Sequence, residues 1–157
     1  MNRKSWKPYA FFILLAEAVG VLSAFLTRVG MENYNTLAKP TLTPPSIVFP
    51  IVWTILYALM GIGAARIWLS PPSEERSKSL IFFSLQLAVN FLWSLFFFNL
   101  QAFGFSFLWL IILWFLILLM VLSYKEVDKI AAWLQIPYLI WVTFAGYLNY
   151  MVWMLNR

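Results

Sequence analysis

The sequence predicts an all-α membrane protein, a bundle of five transmembrane helices, on three observations. Of its 157 residues, 63% are hydrophobic and 11% charged, and a soluble domain of this size has too little interior to hide so much apolar surface. The apolar residues fall into five runs, each near the ~20 residues that cross a ~30 Å hydrocarbon core as a helix. The basic residues lie at the ends of those runs and in the loops between them and form no stripe along one face. That distribution belongs to a membrane-spanning chain and excludes a nucleic-acid partner.

The first span, about residues 8–27, follows Arg3, Lys4 and Lys7. Its length, its Glu17 and the lack of a small-x-small cleavage site make it a span and not a signal peptide. Residues 28–46 form the one long loop, with Lys39-Pro40 and Pro44-Pro45. Each proline fixes its own φ and biases the residue before it away from helix, so this loop reads as a stiff, extended lid. Ser46 is placed to cap the second span, 47–69, with Pro50 in the first turn, where a missing N–H costs least. A polar turn, Ser70–Lys78, leads to the third span, 80–98, and Leu100-Gln101-Ala102 makes a tight hairpin into the fourth, 103–124. A short charged turn then precedes the fifth, 130–155, so residues 1–157 read as one five-helix transmembrane domain. An odd number of spans argues against two equal inverted repeats. Trp6, Trp68, Trp133 and Trp153 fall at span ends as interfacial anchors.

Eight basic residues lie on the N-terminal side of the spans and three (Arg28, Lys39, Arg157) on the other. The positive-inside rule therefore puts the N-terminus inside and the Pro-rich loop outside. The short chain without a targeting extension points to a bacterial cytoplasmic membrane. Gly20-x-x-x-Ala24 and Gly61-x-x-x-Ala65 match the small-xxx-small pattern, which allows a homodimer.

The chain has neither cysteine nor histidine, which excludes Cys/His metal sites, His-ligated haem and Ser-His or Cys-His catalysis. No nucleophile–base pair is visible, no metal site is expected and no cofactor is called for. What remains is a set of polar and aromatic residues inside the spans, where polar groups face the bundle interior. Gln86, Asn90, Trp93 and Phe97 share one helical face, Pro137, Trp141, Ala145 and Asn149 recur every four residues beside Leu148, and Phe49, Trp53 and Tyr57 lie on the second span. At ~1.5 Å rise per residue, Trp53, Trp93 and Asn149 lie at similar depth below the outer ends of their helices. They converge beneath the Pro-rich loop as a ligand pocket. Glu17, the one carboxylate deep in a span, is expected to point into the bundle beside Gly20 and Ala24.

Three ordered blocks carry a resemblance. Lys39-Pro40, Pro44-Pro45 and Phe49-Pro50-x-x-Trp53-Thr54-x-Leu56-Tyr57-x-x-Met60-Gly61 are followed by Gln86-Leu87-x-x-Asn90-x-x-Trp93-x-x-x-Phe97-Phe98. The third is Pro137-Tyr138-x-x-Trp141-x-x-Phe144-Ala145-x-x-Leu148-Asn149. Together they resemble the TspO/MBR family of tryptophan-rich sensory proteins, which includes the mitochondrial translocator protein (peripheral-type benzodiazepine receptor). The resemblance implies a five-helix bundle, often dimeric, that binds porphyrins such as protoporphyrin IX as ligands and also isoquinoline carboxamides. By the same resemblance the ligand site comprises Tyr34, Pro44, Phe49, Trp53, Asn90, Trp93, Trp141, Ala145 and Leu148. An alternative activity it implies is tryptophan-assisted, light- and oxygen-dependent porphyrin breakdown, with Trp53 and Trp141 as the photochemical candidates. The chain departs from the family at Leu42 and Ile47, where many members carry tryptophan. It departs again after Tyr150, where Met154 replaces the basic residue of the sterol motif and Arg157 lies beyond the usual window.

Overall fold

The computed structural model describes residues 6–157, all of whose regular structure is helical. Arg3 and Lys4 of the basic N-terminal cluster lie outside the described residues. The helices are α1 (Trp6–Leu26), α2 (Arg28–Tyr34), α3 (Val48–Trp68), α4 (Glu74–Ser94), α5 (Phe103–Lys125), α6 (Lys129–Leu134) and α7 (Ile136–Leu155). A π-helical turn, Leu95–Asn99, prolongs α4. Five stretches are long and apolar enough to cross a membrane: Trp6–Leu26, Val48–Trp68, Glu74–Asn99, Phe103–Lys125 and Lys129–Leu155.

Packing closes these into a ring. α1 lies along α3, α4 along α5, and α5 along α7, while α3 also meets α4 and α6. α3 and α7 stand further apart and reach each other through aromatic rings, Phe49 on Trp141 and Trp53 on Tyr138. The tightest seam is α1–α3, where any side chain at Gly61 would run into the Ile13 backbone and the Tyr57 ring occupies the space beside Gly20. Gly20 and Gly61, the first residues of the two small-xxx-small motifs, therefore serve packing within the chain. Glu17 lies between Ile13 and Gly20 on this α3-facing stripe and is half-buried, not enclosed.

Several elements differ from expectation for identifiable reasons. The long loop, the connector between α1 and α3, is not wholly extended: more than its first third forms α2, whose residues precede the prolines. Ser46 does not cap α3. The N-cap is Ile47, in helical conformation, and the first turn is held by backbone bonds from Val48 N–H to Pro45 C=O (3.0 Å) and Phe49 N–H to Ser46 C=O. α4 begins six residues before the apolar run because Ser73 caps it, accepting from Arg76 N–H at 3.1 Å, with Glu74 and Glu75 in the first turn.

The fifth span is broken in two. Asp128 caps α6 by accepting from Ile130 and Ala131 N–H (2.9 and 3.2 Å) and pairs with Arg66 of α3 at 3.0 Å. One turn later Pro137 has no N–H to give the Trp133 carbonyl, so the helix interrupts at Gln135 and restarts as α7. The Gln135 amide turns inward and donates to the Leu59 carbonyl of α3 at 3.0 Å.

Candidate functional site

The site is built outward from one stripe of α4. Gln86, Asn90, Trp93 and Phe97 are all buried, so the face legible in the sequence is the face turned into the bundle. At its centre stands Tyr138 of α7, 1% exposed. Its hydroxyl accepts from the Asn90 side-chain amide at 2.8 Å and donates to Gln86 Oε1 at 2.7 Å. A buried hydroxyl that both gives and receives leaves neither amide short of a partner on that side.

One turn nearer the connector, the Trp93 indole N–H donates to Asn149 Oδ1 at 3.0 Å. The Asn149 amide in turn donates to the Phe103 carbonyl at 2.9 Å, so a single side chain ties α4, α5 and α7 together. The π turn then widens the end of α4. It brings Phe97 flat onto Trp93 (5.1 Å between ring centroids) and Phe98 edge-on to Phe97 (4.9 Å). Insertions of this kind recur at functional sites.

α3 supplies Phe49 and Trp53. Phe49 packs edge-on to Trp141 (5.9 Å), while Trp53 lies over Tyr57 (5.5 Å) and meets Tyr138 (6.2 Å). From the connector, the Tyr34 ring rests on Phe97 (5.8 Å) and Phe98 (5.6 Å), and burial pushes its phenol above the usual range. Pro44 is half-buried, Ala145 packs on the core and Leu148 is buried. The residues fall into two adjoining groups. Phe49, Trp53, Trp141, Tyr138 and Asn90 meet between α3, α4 and α7, and Tyr34, Phe97, Phe98, Trp93 and Asn149 lie beside α2.

Trp141 is the unusual member. Its indole N–H is sealed from solvent and meets no acceptor among the described residues. Burying a donor without a partner costs about 1–3 kcal/mol. A bound polar atom can recover that, and Phe49 and Phe144 flank the ring on either side.

One opening lies at the cluster and another away from it. A crevice too narrow for a water molecule lies under the connector between Tyr34, Leu37, Phe97, Phe98 and Phe103. A wider apolar groove of about 470 Å³ runs along the outside between α5 and α7, past Leu110, Trp114, Gly146 and Tyr150. Sequence reasoning placed a pocket beneath the loop and did not anticipate the outer groove. It also placed Pro137 on the pocket stripe, whereas Pro137 is exposed. Four-residue steps overshoot a helical turn by about 40° each, and over three such steps Pro137 rotates out while Tyr138, Val142, Ala145, Asn149 and Val152 stay in phase. That alternating three–four spacing was the available signal for Tyr138.

Such a chain is an integral, multi-pass membrane protein with a tryptophan-lined cluster at one end of its bundle. A family profile described as TspO/MBR family matches residues 12–154. The tryptophan-rich protein TspO of Chlorobaculum tepidum is 38% identical over 152 residues, 94% of each chain. The translocator protein of Bos taurus is 35% identical over 155 residues, 97% of this chain and 92% of its own. The tryptophan-rich sensory protein of Cereibacter sphaeroides is 32% identical over 151 residues, 96% and 92%. The chain belongs to the TspO/MBR family.

Proposed function

We propose that this protein is a membrane receptor or carrier for porphyrins of the protoporphyrin IX type and similar flat, apolar ligands. They are taken into the aromatic cluster between α3, α4 and α7. The observation that carries the reading is the unpartnered Trp141 N–H among ring faces. It offers one directed hydrogen bond in surroundings that otherwise favour a flat apolar body, the usual make-up of a small-molecule site. The gap between the α3 and α7 backbones is spanned by side chains alone, so rotation of Phe49 and Trp141 opens it without moving a helix. Relatives bearing the names sensory protein and translocator protein agree with a binding role. In this reading the N-terminus faces the cytoplasm of a bacterial membrane, the connector faces outward, and two copies form a homodimer.

Titration of protoporphyrin IX into the purified protein, followed by intrinsic fluorescence, is the test. Saturable quenching is expected, weakened at least fivefold in Trp53→Phe, Trp141→Phe; a fivefold loss corresponds to about 1 kcal/mol. Unchanged affinity in that double variant removes these residues from the site and overturns the proposal.

A second reading, light-driven porphyrin breakdown, draws on the run of oxidisable rings Trp53, Tyr57 and Tyr138 at 5.5 and 6.2 Å from Trp53. Illumination of the complex in oxygenated buffer separates the two. A new bilin-like absorption band supports breakdown, and an unaltered spectrum leaves a binder.

A further inference from the structure

We propose that Asn156, the C-cap of α7, is a latch that holds the connector closed over the ligand site, so that its release sets the rate of ligand entry and exit. This rests on the binding reading above. The Asn156 Oδ1 accepts from the Ala38 backbone N–H at 3.0 Å, and its Nδ2 donates to the Ala38 carbonyl at 2.8 Å. One side-chain amide thus satisfies both backbone groups of one connector residue, as a neighbouring strand would. The same Nδ2 donates to the Val152 carbonyl at 2.8 Å, which fixes the amide on its helix. Ala38 is exposed and Asn156 half-buried, so water competes for these bonds.

What the clasp holds in place leads directly to the site. Next to Ala38, the Lys39 ammonium donates to the carbonyls of Tyr34 (3.1 Å) and Asn35 (3.3 Å) and lies 4.8 Å from the Tyr34 ring centre. Tyr34 covers Phe97 and Phe98, and Phe97 covers Trp93. The narrow crevice lies at this point. Asn149, which holds Trp93, stands two turns before Asn156 on the same face of α7. One helix face therefore carries both the site and the fastening of its cover.

Besides the packing of Tyr34 and Leu37 on the core and the burial of Pro40, the cover is tied to the bundle at its root. Asn99 donates to the Leu26 carbonyl before α2 begins, at 3.0 Å. Beyond Pro40, the turn bonds described for the arm run from Thr43 back to Pro40 (3.1 and 2.8 Å), within the connector itself. Freeing Ala38 leaves this arm held by the burial of Pro40 and the partial burial of Pro44, up to α3, where Phe49 and Trp53 begin.

The experiment compares Asn156→Ala and Asn156→Asp with the unaltered protein in nanodiscs. It reads amide hydrogen exchange at Ala38 and stopped-flow association and dissociation of protoporphyrin IX. Asn156→Ala is expected to raise exchange at Ala38 and to speed both rates about tenfold, while the equilibrium affinity moves less than about twofold. Tenfold is within reach of two partly exposed hydrogen bonds. Asn156→Asp keeps the acceptor and loses the donor, and falls between. Unchanged exchange at Ala38 shows that the clasp holds nothing and overturns the latch. Faster exchange with unchanged rates places ligand entry elsewhere and overturns the gate. If the unaltered protein fails to bind the porphyrin, the binding reading falls and the gate falls with it.

Discussion

Tyr138 shows how much one atom arranges in this interior. Its hydroxyl is the common partner of Asn90 and Gln86, and all three side chains are fully enclosed. Interhelical hydrogen bonds in bilayers average only ~0.6 kcal/mol, because polar groups find other partners once helices separate. Here no separation is needed to lose the bonds. Tyr138→Phe strands a buried acceptor on Gln86 and a buried donor on Asn90 inside a packed bundle, at about 1–3 kcal/mol. Thermal unfolding in detergent is expected to show a clear fall in Tm for Tyr138→Phe. A fall as large in Tyr147→Phe, whose ring sits on the exposed face of α7, would refute the assignment. Trp141 presents the opposite case, a donor left without an acceptor in the interior.

At the scale of elements, the sequence displayed what periodicity can carry. The α4 stripe Gln86–Phe97 was readable because polar residues in an apolar helix stand out and repeat with the helical period. The five spans were readable from hydropathy alone. What escaped were features decided by partners distant in the chain. The break that Pro137 makes before α7 is fastened by Gln135 to the Leu59 carbonyl 76 residues away, and the connector is clasped by Asn156, 118 residues from Ala38. The α6 cap is the most exposed of these joints to test. Asp128 serves two backbone N–H groups and Arg66 at once, with the ion pair partly open to water. Asp128→Ala is expected to cost about 1–2 kcal/mol, mostly from the lost cap. Asp128→Asn, which keeps a cap oxygen, should recover most of it in the same unfolding assay. Equal losses in both variants would mean that the Arg66 pair dominates.

Across the whole molecule, the two ends of the bundle differ in kind. One end carries Lys7, Arg66, Arg76, Lys78, Lys125 and Lys129 on short, capped turns. The other carries the connector and the aromatic cluster. Because the chain contains no cysteine, a single one can be introduced without background. Ser73→Cys and Thr41→Cys lie in exposed turns at opposite ends. In intact cells a membrane-impermeant maleimide is expected to label Thr41→Cys and to spare Ser73→Cys, as the distribution of basic residues requires. The reverse pattern inverts the orientation.

The order in which the ring closes also has a bearing on how the protein is made. α1 and α3 meet as consecutive spans through Gly61 and Gly20, and α4 and α5 pair as the next two. Each hairpin can therefore enter the bilayer as it leaves the ribosome, since domains assemble from the N-terminal side during synthesis. The last segment translated brings Tyr138, Trp141, Asn149 and Asn156 together. A chain lacking that segment has Phe49, Trp53, Asn90 and Trp93, yet none of the α7 side chains they meet. The aromatic cluster is thus completed only when α7 joins helices that already pack on one another.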